Sequence, residues 1–299
     1  MFQSNIGEWA AFITAVFWTI TALAFQTASR RIGDFPVNWI RLVLGLFFLS
    51  IFTWTRYHLL FPINASAHTW IWLSLSGLIG FTFGDLCLFR AFVLIGARIS
   101  MLVMALVPPM TTLLGWIIMG EVLTPLDLTG MFLTVTGISL VVMQRHPDGK
   151  RIQLSHPLKG LLFALGGAAG QSIGLILSKY GMGSYSAFQA TQIRIIAGLL
   201  GLTLLYFPLR QWRPTFLGVK DKKGVAFAGV GAFFGPFLGV SFSLIAVKYA
   251  LAGVASTIMA LVPVFIIPPA IFIFKERVTL IEIVGAVIAV GGVALLFLQ

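Results

Sequence analysis

The sequence predicts an all-α membrane protein of ten transmembrane helices, arranged as two inverted five-helix repeats. Three observations lead to this fold class. The composition is too apolar for a soluble protein, since 59% of the 299 residues are hydrophobic and 10% are charged, whereas a soluble domain carries about 25% charged residues. Apolar stretches long enough to cross a membrane follow one another along the chain. A sequence motif of the first half also recurs in the second half.

The apolar stretches set the predicted helices. A helix needs roughly 20 residues to cross about 30 Å of hydrocarbon. In the first half the predicted spans are residues 9–29, 36–55, 69–91, 99–120 and 125–143. In the second half they are residues 158–178, 187–208, 224–247, 249–274 and 280–298. The alternating pattern of a transmembrane β-barrel does not repeat along the chain, so a helix bundle is the structure that satisfies the backbone polar groups in lipid.

A repeated motif divides the chain into two halves. Met104-Ala-Leu-Val-Pro108 recurs 155 residues later as Met259-Ala-Leu-Val-Pro263. Residues 1–150 are therefore predicted to form the first five-helix repeat and residues 151–299 the second, within one integral membrane domain. An odd number of spans per repeat inverts the second repeat, and inverted repeats are common in secondary transporters. The pattern predicts alternating access around a midplane cavity. Duplication that only enlarges a stable bundle is the alternative interpretation.

Prolines occur inside the predicted spans. Pro108 and Pro263 occupy equivalent positions in the two repeats. A proline within a helix removes a backbone hydrogen bond and kinks the helix. In transporters such breaks expose backbone groups to substrate and allow bending. The two prolines are therefore candidate gating residues, with ordinary packing kinks as the other interpretation.

Charged side chains inside the spans are candidates for a substrate site. A charge in hydrocarbon costs on the order of 3 kcal/mol or more, so such a residue is a functional candidate by default. Asp85 is the sharpest candidate, because its equivalent in the second repeat is Val240. Asp85 could bind a proton or a substrate ammonium group, or it could pair with Arg90 or with an arginine of another helix. The same alternatives apply to Arg90.

Four further candidates form two equivalent pairs at an offset of 153 residues. Arg41 and Arg194 are predicted to lie toward opposite membrane faces, where both would not contact one small substrate in a single pose. They are candidate gate residues, and snorkelling to the lipid headgroups is the alternative. Trp18 and Gln171 are expected near the midplane, where Trp18 could stack on an apolar substrate and Gln171 could hydrogen-bond a polar group. A packed tryptophan and an interhelical glutamine are the alternative there.

Motifs of other functional classes are missing from the sequence. A glycine-rich phosphate loop, Cys/His metal-ligand spacing and a nucleophile elbow are all absent, so the sequence predicts neither an enzyme nor a metal or cofactor. The single cysteine, Cys87, excludes an intramolecular disulfide. The net charge of +11 does not indicate nucleic-acid binding, because the basic residues lie between apolar runs.

The basic residues instead predict an orientation in the membrane. The linkers after the odd-numbered spans, counted together with Lys159 at the start of the sixth span, carry 14 Lys and Arg residues, whereas the other linkers carry 3. By the positive-inside rule, the first set of linkers lies in the cytoplasm and both termini lie outside.

Two segments, one in each half, carry a family resemblance. One runs from Phe89 through Pro108 to Gly120-Glu121, and the other runs from Ala246 through Pro263 to Lys275-Glu276-Arg277. They resemble the EamA-type branch of the drug/metabolite transporter superfamily. The resemblance covers essentially the whole chain, although Val122 stands where the family commonly has an arginine. It implies a ten-helix, multi-pass carrier of the cell's inner membrane, in contact with membrane lipid.

The expected function is secondary transport of a small-molecule substrate. The resemblance implies an amino acid or a related metabolite, with export as the expected direction. Coupling to protons or to substrate exchange, and a monomer or a homodimer, are all compatible with the sequence. A non-transporting membrane scaffold or partner subunit is the alternative, and channel-like conduction is a third possibility.

Overall fold

A computed structural model describes residues 6–119, 124–145, 152–154, 157–250, 252–273, 275 and 278–295. These residues are almost entirely helical, which confirms the all-α membrane class. Six helices in this part of the chain are long and apolar enough to cross a membrane. Three shorter apolar helices accompany them, at Leu128–Val141, Val262–Phe272 and Leu280–Leu295.

The described part of the first repeat is a series of helices. They are α1 (Ile6–Ile32), α2 (Asp34–Tyr57), α3 (Ala67–Gly77), a π-helical segment (Leu78–Gly84), α4 (Asp85–Val103), a 3-10 turn (Met104–Leu106), α5 (Val107–Met119) and α6 (Pro125–Val142). α4 is broken at Gly96, whose φ of 77° lies in the left-handed region that favours glycine. The predicted linker between the third and fourth spans, residues 92–98, is thus helical except for this one break.

The second repeat follows the same plan. It contains α7 (Leu158–Met182), α8 (Ala187–Tyr206), α9 (Trp212–Val219), α10 (Lys222–Ala232), a second π-helical segment (Phe233–Gly239), α11 (Val240–Tyr249), α12 (Ala252–Met259), α13 (Val262–Phe265), α14 (Ile267–Phe272) and α15 (Leu280–Leu295). The two π-helical segments begin 155 residues apart, at the offset of the sequence repeat.

Both long linkers contain structure that the sequence analysis did not predict. The linker between the repeats carries strands β1 (Met143–Arg145) and β2 (Ile152–Leu154), which pair antiparallel. The linker between α8 and α10 carries the short helix α9. Trp212, the first residue of α9, packs its ring against Tyr206, with 5.6 Å between the centroids.

Contacts between the halves define two ends of the bundle. At the end rich in basic residues, Arg31 of α1 pairs with Asp221 at 3.0 Å. Asp221 also accepts the backbone N–H of Gly224 at the start of α10, and this bond together with Arg31 holds the pKa of its carboxyl below the usual range. At the opposite end, Tyr57 meets Ser186 with 3.0 Å between their hydroxyl oxygens. α2 therefore ends where its equivalent α8 begins, so the two repeats are inverted.

The equivalent helices α2 and α8 each pack on the π-helical segment of the other repeat. A Cβ placed on Gly45 of α2 would lie 3.0 Å from the Cβ of Pro236 in the second π-helical segment. A Cβ on Gly198 of α8 would lie 2.8 Å from the Cβ of Phe81 in the first one. Glycine allows both close approaches. The π-helical segment of each half thus packs on a helix of the other half.

The last helices of the two repeats, α6 and α15, pack directly on each other. A Cβ on Gly137 would lie 2.5 Å from the backbone nitrogen of Ala289, and one on Gly292 would lie 2.5 Å from that of Thr134. The Thr134 hydroxyl donates to the carbonyl oxygen of Gly130 at 2.8 Å. Buried residues of this helix pair share an apolar core with residues of α4 and α7, such as Ile95 and Ala164.

Candidate functional site

A cavity lies between the two repeats. The space that the centre of a water molecule can occupy in it is about 130 Å³, well above the roughly 10–15 Å³ that one water needs. Helices α1, α2, α4 and α5 of the first half contribute to its wall, as do α7, α8, α11, α12 and α13 of the second. The wall is largely apolar, and its large side chains include Trp18, Phe25, Phe81, Phe89, Phe92, Met101, Met104 and Met259.

Seven of the eight residues singled out in the sequence line this cavity. They are Trp18, Arg41, Asp85, Pro108, Gln171, Arg194 and Pro263. Arg90 is not among the described lining residues, and its Nη1 instead donates to Asp34 Oδ2 at 3.3 Å. Pairing of Arg90 with Asp85 was therefore the wrong alternative.

Asp85 is held by two partners from other helices. Arg41 Nη2 donates to Asp85 Oδ2 at 2.6 Å, and Gln171 Nε2 donates to Asp85 Oδ1 at 2.8 Å. Both carboxylate oxygens are thus engaged, and the alternative of an arginine from another helix is the one that the structure contains. Asp85 directly follows the first π-helical segment, and its backbone N–H donates to the carbonyl of Gly80, five residues earlier. Such widened turns occur frequently at functional sites.

Arg41 has several partners inside the bundle. Besides Asp85, it donates through Nε to Asn38 Oδ1 at 2.9 Å. Its guanidinium carbon lies 4.8 Å from the ring centroid of Phe89 and 5.7 Å from that of Phe25, both within cation–π range. The residue is 3% exposed, so snorkelling to the headgroups does not describe it.

Arg194 is equally buried but has no comparable partners. It is 3% exposed, and its guanidinium carbon lies 4.8 Å from the ring centroid of Phe81. Its Nε is buried without a hydrogen-bond partner. The ion pairs of the described residues do not include it. Arg194 is therefore a buried cation without an ion pair in the described part of the chain, and Asp85, which is paired with Arg41, acts on it only through a longer-range electrostatic interaction.

Arg41 and Arg194 lie at one cavity, which contradicts the expectation that both could not contact one small substrate in a single pose. Both line the same cavity, and both guanidinium groups lie over Phe81, at 5.6 Å and 4.8 Å. Each arginine lies seven residues from the start of its helix, which is about 10 Å along the helix axis. The long side chains of the two residues reach the shared cavity.

The repeated Met-Ala-Leu-Val-Pro motif interrupts a helix in both halves. In the first half, residues Met104–Leu106 form a 3-10 turn ahead of Pro108. In the second, α12 ends at Met259 and α13 begins at Val262. The Val107 carbonyl accepts a hydrogen bond from the Ser172 hydroxyl at 3.2 Å. The two breaks lie at the cavity wall, as a gating role would require, and that role stays a prediction.

Two hydroxyl groups of the cavity were missed by the sequence analysis. Thr21 and Ser256 line the cavity, and their Oγ atoms are buried without hydrogen-bond partners in the described structure. Serine and threonine in apolar helices commonly bond their own backbone, as Thr14 does with the carbonyl of Ala10 at 2.7 Å. Sequence alone therefore does not separate the free hydroxyls from the satisfied ones.

Fold and site together define a multi-pass membrane protein with two inverted repeats and a central cavity that both repeats line. Comparison with models of protein families narrows this class to one family. The model of the EamA-like transporter family matches residues 5–143 and again residues 158–298. The chain therefore belongs to the EamA-like transporter family, which consists of membrane transporters of small molecules. The match to each half confirms the family resemblance and the two-repeat architecture.

Comparison with solved structures supports the fold. One protein of known crystal structure superposes with a TM-score of 0.65 over 98% of this chain and 96% of its own, at 18% sequence identity. At that identity the similarity shows the fold alone. No curated protein matches the chain in sequence.

Proposed function

We propose that the protein is a secondary transporter that moves a small metabolite across the inner membrane by alternating access. An amino acid or a related compound is the expected substrate class, and export is the expected direction. The observation that carries the proposal is the cavity between the halves, whose wall holds a buried Asp85–Arg41 ion pair. Charged groups of this kind inside a membrane bundle are typical of substrate and ion pathways.

The arrangement of the repeats supports a mechanism in which the halves 1–150 and 151–299 move relative to each other. Contacts between the halves are present at both ends of the bundle, Arg31 with Asp221 at one end and Tyr57 with Ser186 at the other. Rocking of one half against the other would open one set while the other set stays closed. The helix breaks before Pro108 and Pro263 provide two equivalent places for bending.

Counterflow in proteoliposomes tests the proposed transport. Vesicles would be loaded in turn with pooled amino acids, nucleosides or sugar phosphates, and uptake of a labelled trace of the same pool would be followed. Saturable exchange with one pool would support a carrier. Flux that neither saturates nor shows counterflow would indicate a channel, and the absence of any flux through folded protein would favour the scaffold. Uptake accelerated by an imposed pH gradient would assign proton coupling.

Asp85→Asn is the first variant to measure. The amide cannot neutralise Arg41, so the cavity would contain an uncompensated buried guanidinium. Loss of a charged hydrogen bond of about 1.5–3 kcal/mol corresponds to a fall in exchange of at least about tenfold. The measurement is the initial rate of counterflow, normalised to folded protein in the vesicles.

A matched control for this variant is Asp34→Asn. Asp34 also pairs with an arginine, Arg90, at 3.3 Å, but the pair lies outside the described cavity wall and Arg90 is 42% exposed, and exposed pairs contribute about 0–1 kcal/mol. We expect its exchange rate to remain within about twofold of the wild type, by the same conversion. Equal rates for Asp85→Asn and the wild type would refute a role for Asp85 in transport.

A further inference from the structure

The charges that line the cavity do not balance. Three of the described lining residues are ionisable at neutral pH, namely Arg41, Asp85 and Arg194. Asp85 is the acid among them, and both of its oxygens are engaged, one by Arg41 and one by Gln171. With Asp85 committed to Arg41, the positive charge of Arg194 remains. The described wall therefore carries one excess positive charge.

The surroundings of Arg194 favour the binding of an anionic ligand. A Cβ on Gly80 would lie 3.2 Å from Arg194 Nη2, and one on Gly174 would lie 3.5 Å from it, so two glycines leave room for the guanidinium. One flank of the group faces the ring of Phe81. A planar guanidinium offers a rigid fork of N–H donors that matches a carboxylate. A buried charge is costly when its partner is absent, and a bound anion would remove that cost.

The remainder of the cavity wall indicates the chemistry of the rest of the ligand. Trp18 and four phenylalanine rings line the same cavity, and such walls favour a compact apolar or aromatic group. Thr21 and Ser256 also line the cavity, and their hydroxyl oxygens are buried without hydrogen-bond partners in the described structure.

We propose that the cavity binds a small organic anion, with its carboxylate on Arg194 and an apolar or aromatic body against the rings. This inference rests on the proposed transport function and narrows its substrate class from an amino acid to a related carboxylate that lacks the ammonium group. An amino-acid zwitterion fits the charge less well. Its ammonium group would need a second anion, and the one acid in the described wall is already paired with Arg41.

A matched series of four ligands tests the charge assignment on the unmodified protein. The series is 3-phenylpropanoate, phenylalanine, 3-phenylpropanamide and 3-phenylpropylamine, which share a ring and differ in net charge. Dissociation constants would be measured for the purified protein from the rise in its unfolding temperature with ligand concentration. We expect 3-phenylpropanoate to bind at least about tenfold more tightly than the amide, because charge-assisted hydrogen bonds are the stronger kind. Phenylalanine should bind between the two, and the amine most weakly.

Three variants assign the preference to one residue. Arg194→Gln should weaken binding of the propanoate at least about tenfold and leave the amide nearly unchanged, which removes the preference for the anion. Arg194→Lys keeps the positive charge and should retain part of the preference for the anion. Arg56→Gln is the control, because Arg56 also lies over an aromatic ring, Tyr57 at 5.8 Å, but at the exposed end of α2. The control should bind all four ligands as the wild type does.

Several results would overturn the inference. They are equal binding of propanoate and amide, tighter binding of the amine or of phenylalanine, or no binding of any of the four at millimolar concentration. A preference for the anion that persists in folded Arg194→Gln would also overturn it. If Arg194→Gln fails to fold, the series on the wild type still decides. Selective binding without counterflow would refute the proposed transport alone, whereas counterflow of zwitterions or cations without preference for the anion would refute this inference alone.

Discussion

At the scale of single residues, the Arg41–Asp85 ion pair dominates the interior. The two side chains are 4% and 6% exposed, so both charges lose nearly all their solvation. Removal of one partner from a buried pair costs about 3–5 kcal/mol, because the other charge is left uncompensated. Replacement of both partners by apolar groups of similar volume is often neutral. The pair therefore contributes more to which helices pack together than to the net free energy of unfolding.

A double-mutant cycle measures this coupling. We expect Arg41→Met to lower the free energy of unfolding by about 3–5 kcal/mol, and Asp85→Leu to do the same. The double variant should be more stable than either single one, since no unpaired charge remains. The measurement is reversible unfolding in mild detergent, with retained helicity as the test of folding. Additive losses in the double variant would contradict the coupling.

The sequence located the buried charges but not their partners. Asp85 stood out because Val240 replaces it in the other repeat, and Arg41 and Arg194 stood out as equivalents. Which arginine meets Asp85 depends on helix packing, and Arg90 is only five residues from it along the chain. The repeat also suggested opposite faces for the two arginines. That argument ignored their depth in the helix and the length of the side chain.

At the scale of elements, the two π-helical segments are the feature that hydropathy did not predict. Leu78–Gly84 and Phe233–Gly239 are as apolar as the helices around them, and hydropathy does not record whether a hydrogen bond spans four residues or five. Each segment includes a glycine at its third and at its last position, Gly80 and Gly84 in the first. The Met-Ala-Leu-Val-Pro breaks, in contrast, were predictable because proline removes a donor.

The α6–α15 contact yields a prediction about glycine. Gly137→Val should lower the free energy of unfolding by about 1–3 kcal/mol, because its Cβ would overlap the backbone of α15. The measurement is the denaturation midpoint in detergent. Gly291→Val is the control on α15, since a Cβ there meets nothing within 4 Å. Equal losses for the two variants would show that the contact does not set the stability.

At the scale of the whole molecule, the repeat in the sequence was sufficient to predict the inverted architecture. The Met-Ala-Leu-Val-Pro motif set the offset, and the odd number of spans set the inversion. The hairpin of β1 and β2 and the helix α9 could not be predicted in this way. They lie in the two long polar linkers, which have no hydrophobic periodicity, and there local turns and packing against residues such as Tyr206 decide the structure.

The orientation in the membrane can be tested with two cysteine variants in a Cys87→Ser background. Lys220 and Ile63 are both exposed, at the basic end and at the opposite end of the bundle. By the positive-inside rule, Ile63→Cys should react with an impermeant maleimide in intact cells, and Lys220→Cys should react only after permeabilisation. The reverse labelling pattern would place both termini in the cytoplasm.

The exchange of partners between the halves has a consequence for biogenesis. The first half is synthesised first, so the contact of Phe81 with Gly198 cannot form until α8 is inserted. The ion pair of Asp85 can form earlier, because Arg41 precedes it in the same half. The nascent half can thus enter the bilayer with this acid already neutralised. Arg194 is synthesised later, when Asp85 has already paired with Arg41. The order of synthesis therefore leaves Arg194 without an ion pair in the described cavity wall.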